Sequence, residues 1–352
     1  MKDIDNITNF NMWLRQISNE IPEFINQLND DGNLKFCKKG SLKGAELFSY
    51  VFLVKILFML KKLDNKNKIF LAENILRHKK KNGMIFQNLS FFNDNKIFYL
   101  RNMFNLRHNL KIIKLAETRQ SISALIQCDY KHDYGFFFPY ESIKINKFLF
   151  ELDKKDPWGY FSHVSHLVFF INNSNIISSK EKKNLIVKIF ENLRKKFYNL
   201  DINYLKKFYS NQEIINLLMK LSMALETCEL NLNLNNNAII DLALEKFKYR
   251  HACDFLNNIK VINFFSDGKY KKEIIEKKFY EFITILQNHF NHEHKAFSFF
   301  VNKSQTVIYN KKVSVGYNEP DLHGTVLYLW SLSLIEDTLN KKSDKILEKP
   351  LM

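Results

Sequence analysis

The sequence predicts an all-α protein, an (α/α)6 toroid of about six helical hairpins with one or two loop insertions, and three observations predict it. Apolar residues recur at helical spacing along nearly all of the 352 residues. Helices with one polar face alternate with helices that are apolar on every side. Only 9 Gly and 5 Pro are present, whereas a sandwich, barrel or propeller of short strands needs a turn residue every ~8–12 positions. With 46% apolar and 26% charged residues the balance is globular, not disordered or fibrous.

The elements follow in order. Trp13, Ile17, Ile21, Phe24 and Leu28 form one helical stripe, and Asp30-Asp31-Gly32 ends it, with Gly supplying the left-handed turn residue. A greasier helix runs from Leu42 to about Leu63. Its most apolar run, Leu47–Leu60, contains Lys55 and falls short of the ~20 residues of a membrane span, so it reads as buried. The pattern then recurs. Phe70–Lys81 leads through Asn82-Gly83 and an insertion to Glu117–Gln127. Ile143–Leu152 leads through Asp156-Pro157-Trp158-Gly159 to Val164–Ile171. Glu181–Tyr198 precedes Glu213–Cys228, and Ile239–Lys248 precedes His251–Phe264. Ile274–His289 leads through a long insertion to Leu322–Leu339.

A helix apolar all round must be buried all round, so six such helices make an inner ring with six amphipathic partners outside. An open solenoid would need polar capping repeats, yet Val326-Leu327-Tyr328-Leu329-Trp330 in the last helix is as apolar as the middle ones. Closure is favoured. Residues 1–340 are expected to form a single α/α toroid domain, with 341–352 a polar C-terminal tail.

The turns and the helix starts that follow them are Asp31-Gly32 with Gly40-Ser41-Leu42, Asn82-Gly83 with Glu117-Thr118-Arg119-Gln120, and Asp156-Pro157-Trp158-Gly159 with Ser162-His163. On these the chain resembles the repeats of the terpenoid cyclase and protein prenyltransferase toroid superfamily. The resemblance covers most of the chain and is architectural. It implies a cavity at one end of the ring. The Asp-x-Asp-Asp run of squalene-type cyclases is absent from the sequence, as is an Asp, Cys, His set at prenyltransferase spacing. Related toroids also serve glycoside hydrolases, polysaccharide lyases and sugar epimerases, so function rests on the site and not on the fold.

Lys and Arg total 53 against 37 Asp and Glu, a formal charge of +16, yet only seven of the basic residues are Arg. Nucleic-acid sites prefer Arg forks, and runs such as Lys79-Lys80-Lys81 read as solvated faces, so no specific nucleic-acid partner is expected. The abundance of Lys, Asn, Ile and Phe also fits AT-rich codons. A basic surface still steers anionic ligands inward. Cys37, Cys128, Cys228 and Cys253 lie far apart and form neither a zinc ribbon nor a disulfide framework. The polar, acidic start MKDIDNITNF is unlike a secretory signal, and the expected location is the cytoplasm. The oligomeric state stays open.

Three segments place charge or imidazole where core hydrophobes belong. His163 and His166, three apart, share a helix face and suit base, acid, anion or metal chemistry, with Trp158 beside them as a substrate contact. Glu117 and Gln120 share a face, and Arg119 on the same turn suits a bidentate carboxylate or phosphate. Glu319, Asp321 and His323 precede a strongly apolar helix, where Asp321 also suits an N-cap. The expected catalytic set is therefore His163, His166, Glu117, Asp321 and His323, with Arg119, Gln120, Trp158 and Glu319 binding substrate. No metal site and no cofactor is assigned, though two imidazoles leave a divalent ion open. Weaker candidates are Cys128–Tyr134, the His289, His292 and His294 cluster, and Arg250-His251 with Cys253-Asp254. The reading is an enzyme acting on a carbohydrate, a small molecule or oligosaccharide of surface-polysaccharide metabolism, by general acid/base catalysis. Two alternatives stand: a divergent terpenoid cyclase or prenyltransferase-like protein, and a non-enzymatic basic helical-repeat protein that binds an acidic partner.

Overall fold

The computed structural model describes residues 6–30, 33–87, 106–130, 145, 148–149, 152, 154–309, 311–340 and 345–351. They are all-α apart from three two-stranded antiparallel ribbons. The helices are α1 Ile7–Gln27, α2 Glu46–Met59, α3 Asn65–Leu76, α4 Leu106–Gln127, α5 Pro157–Asn172 and α6 Ser179–Lys196. The short α7 Ile202–Leu205 follows, then α8 Asn211–Thr227, α9 Asn236–Leu244, α10 Ala252–Phe265, α11 Lys272–Gln287 and α12 Leu322–Leu339. No helix among the described residues is long and apolar enough to cross a membrane.

Local sequence explains where these helices start. Asp64, Asp156 and Asp321 each accept a backbone N–H of the first turn. Ser178 with Glu181 and Ser210 with Glu213 form reciprocal capping boxes at α6 and α8. The expected stripe of α1 is buried from Phe10 to Phe24, as is Leu28 beyond it.

Six helices are buried nearly all round: α2, α4, α5, α8, α10 and α12. Each packs on the next in that order, and α12 packs back on α2. Of the remaining helices, α3 lies on α2 and α4, α6 on α5, α9 on α8 and α10, and α11 on α10 and α12, while α1 packs on residues 296–297.

Hydrogen bonds show that the six run parallel. At one end the Asn172 amide donates to Thr227 O at 2.9 Å, and the Asn263 amide donates to Leu334 O at 3.1 Å. Residues 345–351 cross this same end. Glu348 N donates to Met59 O at 2.8 Å, the Ser123 hydroxyl donates to Leu351 O at 2.9 Å, and Lys349 pairs with Glu226. Glu336 accepts the Ile346 and Leu347 N–H groups at 2.6 and 3.0 Å. The described part of the expected polar tail is thus a strap bonded to α2, α4, α8 and α12, with Leu347 buried.

The other end carries the insertion between α11 and α12. Its first ribbon pairs Phe290–Asn291 with Ala296–Phe297, and its second pairs Val307–Ile308 with Lys311–Lys312. Phe299 O accepts Ala252 N at 3.0 Å, Phe36 O accepts Leu322 N at 3.1 Å, and Leu42 N donates to Val313 O at 3.0 Å. Both ribbons lie in the long insertion expected between the last two helices. Gly324 makes the docking possible, because a Cβ there would stand 2.4 Å from Phe299 N. Gly324→Ala is accordingly expected to lower stability by about 1–3 kcal/mol through overpacking, read as a lower urea midpoint. Unchanged stability would show that the insertion is not held tightly against α12.

Candidate functional site

Residues that interrupt the apolar surface of the ring helices converge on one interior region. Lys55 comes from α2, Arg119 and Gln120 from α4, His163 and His166 from α5, Lys220 from α8, Cys253 from α10 and His323 from α12. Tyr309 enters from the tip of the second insertion ribbon, with its backbone at φ 46°, a left-handed conformation that is strained for a residue with a side chain. Gln120, Lys220, Cys253, Tyr309 and His323 keep part of their surface accessible although protein encloses the region. Lys55, Arg119, His163 and His166 beside them are buried. Trp158, 40% exposed in the first turn of α5, stands at the rim of this region with Lys220 Nζ 5.7 Å from the ring centre.

Positive charge dominates this region. Burial pushes the Lys220 amine down to about 8, and the Arg119 guanidinium adds to the shift. Burial likewise holds Lys55 well below its ordinary value, helped by Arg119 and Lys220. Arg119 itself is lowered by burial to about 10 and stays charged at neutral pH. Among the described residues no carboxylate lies within ion-pair distance of any of the three. Their contacts are neutral: Lys55 donates to Gln120 Oε1 at 2.6 Å, and Arg119 lies 5.4 Å from the Phe169 ring centre with Nε unpartnered among the described residues. Burying unpaired cations is costly, so this arrangement is poised to receive an anion.

His166 and His323 are held neutral. Burial, then Arg119, His163 and Lys220, keep His166 well below its usual range, and its Nδ1 has no hydrogen-bond partner among the described residues. Burial with Lys55 and Lys220 lowers His323 to about 3. His323 is clamped between the Phe52 and Phe299 rings, at 4.7 and 5.5 Å, and its Nδ1 bonds to Gln305. Tyr309 bonds to Gln120 and lies beside Arg119, while burial raises its phenol.

The acidic residues singled out in the sequence occupy other positions. Glu117 is buried in an ion pair with Lys311 at 3.2 Å and accepts Gln87 N at 3.0 Å, which ties the insertion to α4. Burial raises Glu117 and Lys311 opposes the shift. Asp321 accepts the Gly324, Phe299 and Gln305 N–H groups at 2.8, 2.9 and 3.1 Å. Glu319 accepts those of Lys39 and Gly40 at 2.8 and 2.7 Å. All three clasp the insertion and the α2 approach onto the ring. His289, one of the weaker candidates, is buried and bonded to the Tyr328 hydroxyl at 2.8 Å. Asp254 accepts Arg250 N at 2.9 Å and His251 stacks on Phe299. Residues 131–134 of the Cys128–Tyr134 candidate lie outside the described residues, among which no group of three or more metal-ligating side chains occurs.

Three members of the site were missed in the sequence: Lys55, Lys220 and Tyr309. A lone Lys inside an apolar helical run was the available signal for the first two. Tyr309 gave none, since its role comes from a long-range contact.

The buried Glu117–Lys311 pair yields a prediction. Lys311→Met alone leaves a buried carboxylate without its cation and is expected to cost about 3–5 kcal/mol, whereas Glu117→Gln with Lys311→Met should recover most of that loss. Equilibrium denaturation of the three proteins checks it, and equal loss in the single and double variants would count against the pairing. Comparison of the chain with family models, with curated proteins and with solved structures finds no match.

Proposed function

We propose that the six buried helices are the inner ring of an (α/α)6 toroid whose central hollow is the substrate site of an enzyme acting on an anionic carbohydrate. The observation that carries this reading is the convergence of the buried Lys55 and Arg119 with the partly accessible Lys220, none with a carboxylate partner among the described residues. A substrate anion supplies the missing charge, and the guanidinium fork of Arg119 takes two of its oxygens. The six parallel helices also point their partially positive N-termini toward the insertion end, where Trp158 offers an aromatic face to a sugar ring.

Proton transfer in this reading falls to groups that line the hollow. His166 and His163, the former held neutral, serve as bases. Lys220, near 8, and the protonated Tyr309 serve as donors. Glu117 and Asp321 are committed to Lys311 and to backbone N–H groups, so their part is to hold the insertion over the ring. A second reading, an isoprenoid diphosphate site, is favoured by the Phe48, Phe52 and Phe299 rings near Tyr309 and His323, which suit an apolar chain as well as a sugar.

A thermal-shift series tests the proposal with acidic oligosaccharides, their neutral counterparts and isoprenoid diphosphates. A ligand at 100 times its Kd adds about 2.7 kcal/mol. The acidic sugars should raise the melting point, the neutral ones should not, and Arg119→Met should abolish the response. A shift with isoprenoid diphosphates alone would transfer the site to the second reading, and equal shifts with neutral sugars would defeat both.

The same binding has a pH signature. Lys220 is protonated below about 8 and neutral above it, so affinity for the anion should fall by up to about tenfold per pH unit above 8. In Lys220→Met the affinity should be weaker and flat across that window. A wild-type profile flat from pH 7 to 9.5 would remove Lys220 from the site.

A further inference from the structure

Resting on the central anion site, we propose that the anionic group of the substrate is a terminal phosphoryl group carried on a small sugar, and not a carboxylate. The number and directions of the cations argue for it. A carboxylate offers one negative charge and two oxygens in one plane, which a single Arg fork satisfies. Here Arg119 on α4 is joined by Lys55 on α2 and Lys220 on α8, so donors approach the hollow from three helices. A terminal phosphoryl group carries close to two charges near neutral pH and three unshared oxygens pointing in three directions. One carboxylate in the hollow would leave at least one amine facing a guanidinium with nothing between them.

The state of Lys55 fits the same scheme. Its amine sits between two cations and donates to Gln120 Oε1, an arrangement that disfavours its proton until a dianion arrives. Binding should therefore draw a proton from solution onto Lys55.

The test is titration calorimetry at pH 7.5 with inorganic phosphate, glucose 6-phosphate, glucuronate and farnesyl diphosphate, each in two buffers of different ionisation enthalpy. Phosphate and glucose 6-phosphate are expected to bind at least tenfold more tightly than glucuronate, with proton uptake that disappears in Lys55→Met. Lys55→Met and Lys220→Met should each weaken phosphate at least tenfold while leaving the melting point of the empty protein equal or higher, because each removes a desolvated amine with no carboxylate partner among the described residues. A lower melting point in both variants would mark the amines as structural and overturn the proposal. Glucuronate binding as tightly as phosphate overturns the phosphoryl assignment and leaves the anionic-carbohydrate reading standing. Farnesyl diphosphate binding far more tightly than glucose 6-phosphate removes the sugar from the proposal. Failure of every anion to bind the folded wild type overturns both this inference and the reading beneath it.

Discussion

The constraint on which this structure depends is that a helix apolar on every side has to be covered on every side. Of the fourteen residues of α2, only Lys55 is charged beyond the first turn, and all but Phe58 and Glu46 are buried. No two-layer packing covers such a helix, since one side would remain wet. Six of them solve the problem together, each shielded by two ring neighbours and by an amphipathic helix behind. One direction is left without a partner helix, the one that faces the middle. Any polar residue on these helices that does not face a neighbour points there, which is how isolated Lys, Arg and His residues on separate hairpins become neighbours.

Charge sorts itself by the same logic. The interior acids are spent on architecture, where a carboxylate can accept several backbone N–H groups at once, as Asp321 and Glu319 do at the approaches to α12 and α2. Glu117 instead takes a cation that reaches in from the insertion, Lys311. With those acids committed, the amines and guanidinium in the hollow remain unbalanced. On the proposed reading this matters, because a mixed acidic and basic centre would neutralise itself and offer an incoming anion nothing.

The helical pattern made much of the fold legible. The Trp13 to Leu28 stripe and the greasy α2 stand where spacing puts them, whereas α5 starts at Pro157, inside the segment expected as a turn. Boundaries slipped where apolar residues face outward. Ile69 and Phe70 are largely exposed, and the Asp64 cap starts α3 at Asn65 and not near Phe70. The candidate site was legible in its histidines and Arg119, which stand out in apolar surroundings. Lys55 was visible but seemed to matter only as an interruption of a membrane-like run. The roles of Glu117 and Asp321 were hidden, because a capping or clasping carboxylate and a catalytic one look alike until their partners, here Lys311 and the backbone of Phe299 and Gln305, are brought from elsewhere in the chain.

The two ends of the ring differ in a way that follows from the helices being parallel. Six C-termini gather at one end, bringing their partial negative charge together, and there the chain lays its strap. Lys349 reaches Glu226, which also holds the buried Lys260, while Lys61 pairs with Glu348 at 3.6 Å. Cations on the strap offset the helix ends, and Leu347 fills the gap between them. The opposite end gathers six partially positive N-termini and is covered by an insertion that enters as ribbons and leaves Trp158 at the edge. On the proposed reading, the gathered N-termini favour an anion at the insertion end, where the second ribbon carries Tyr309, and the gathered C-termini oppose one at the strapped end.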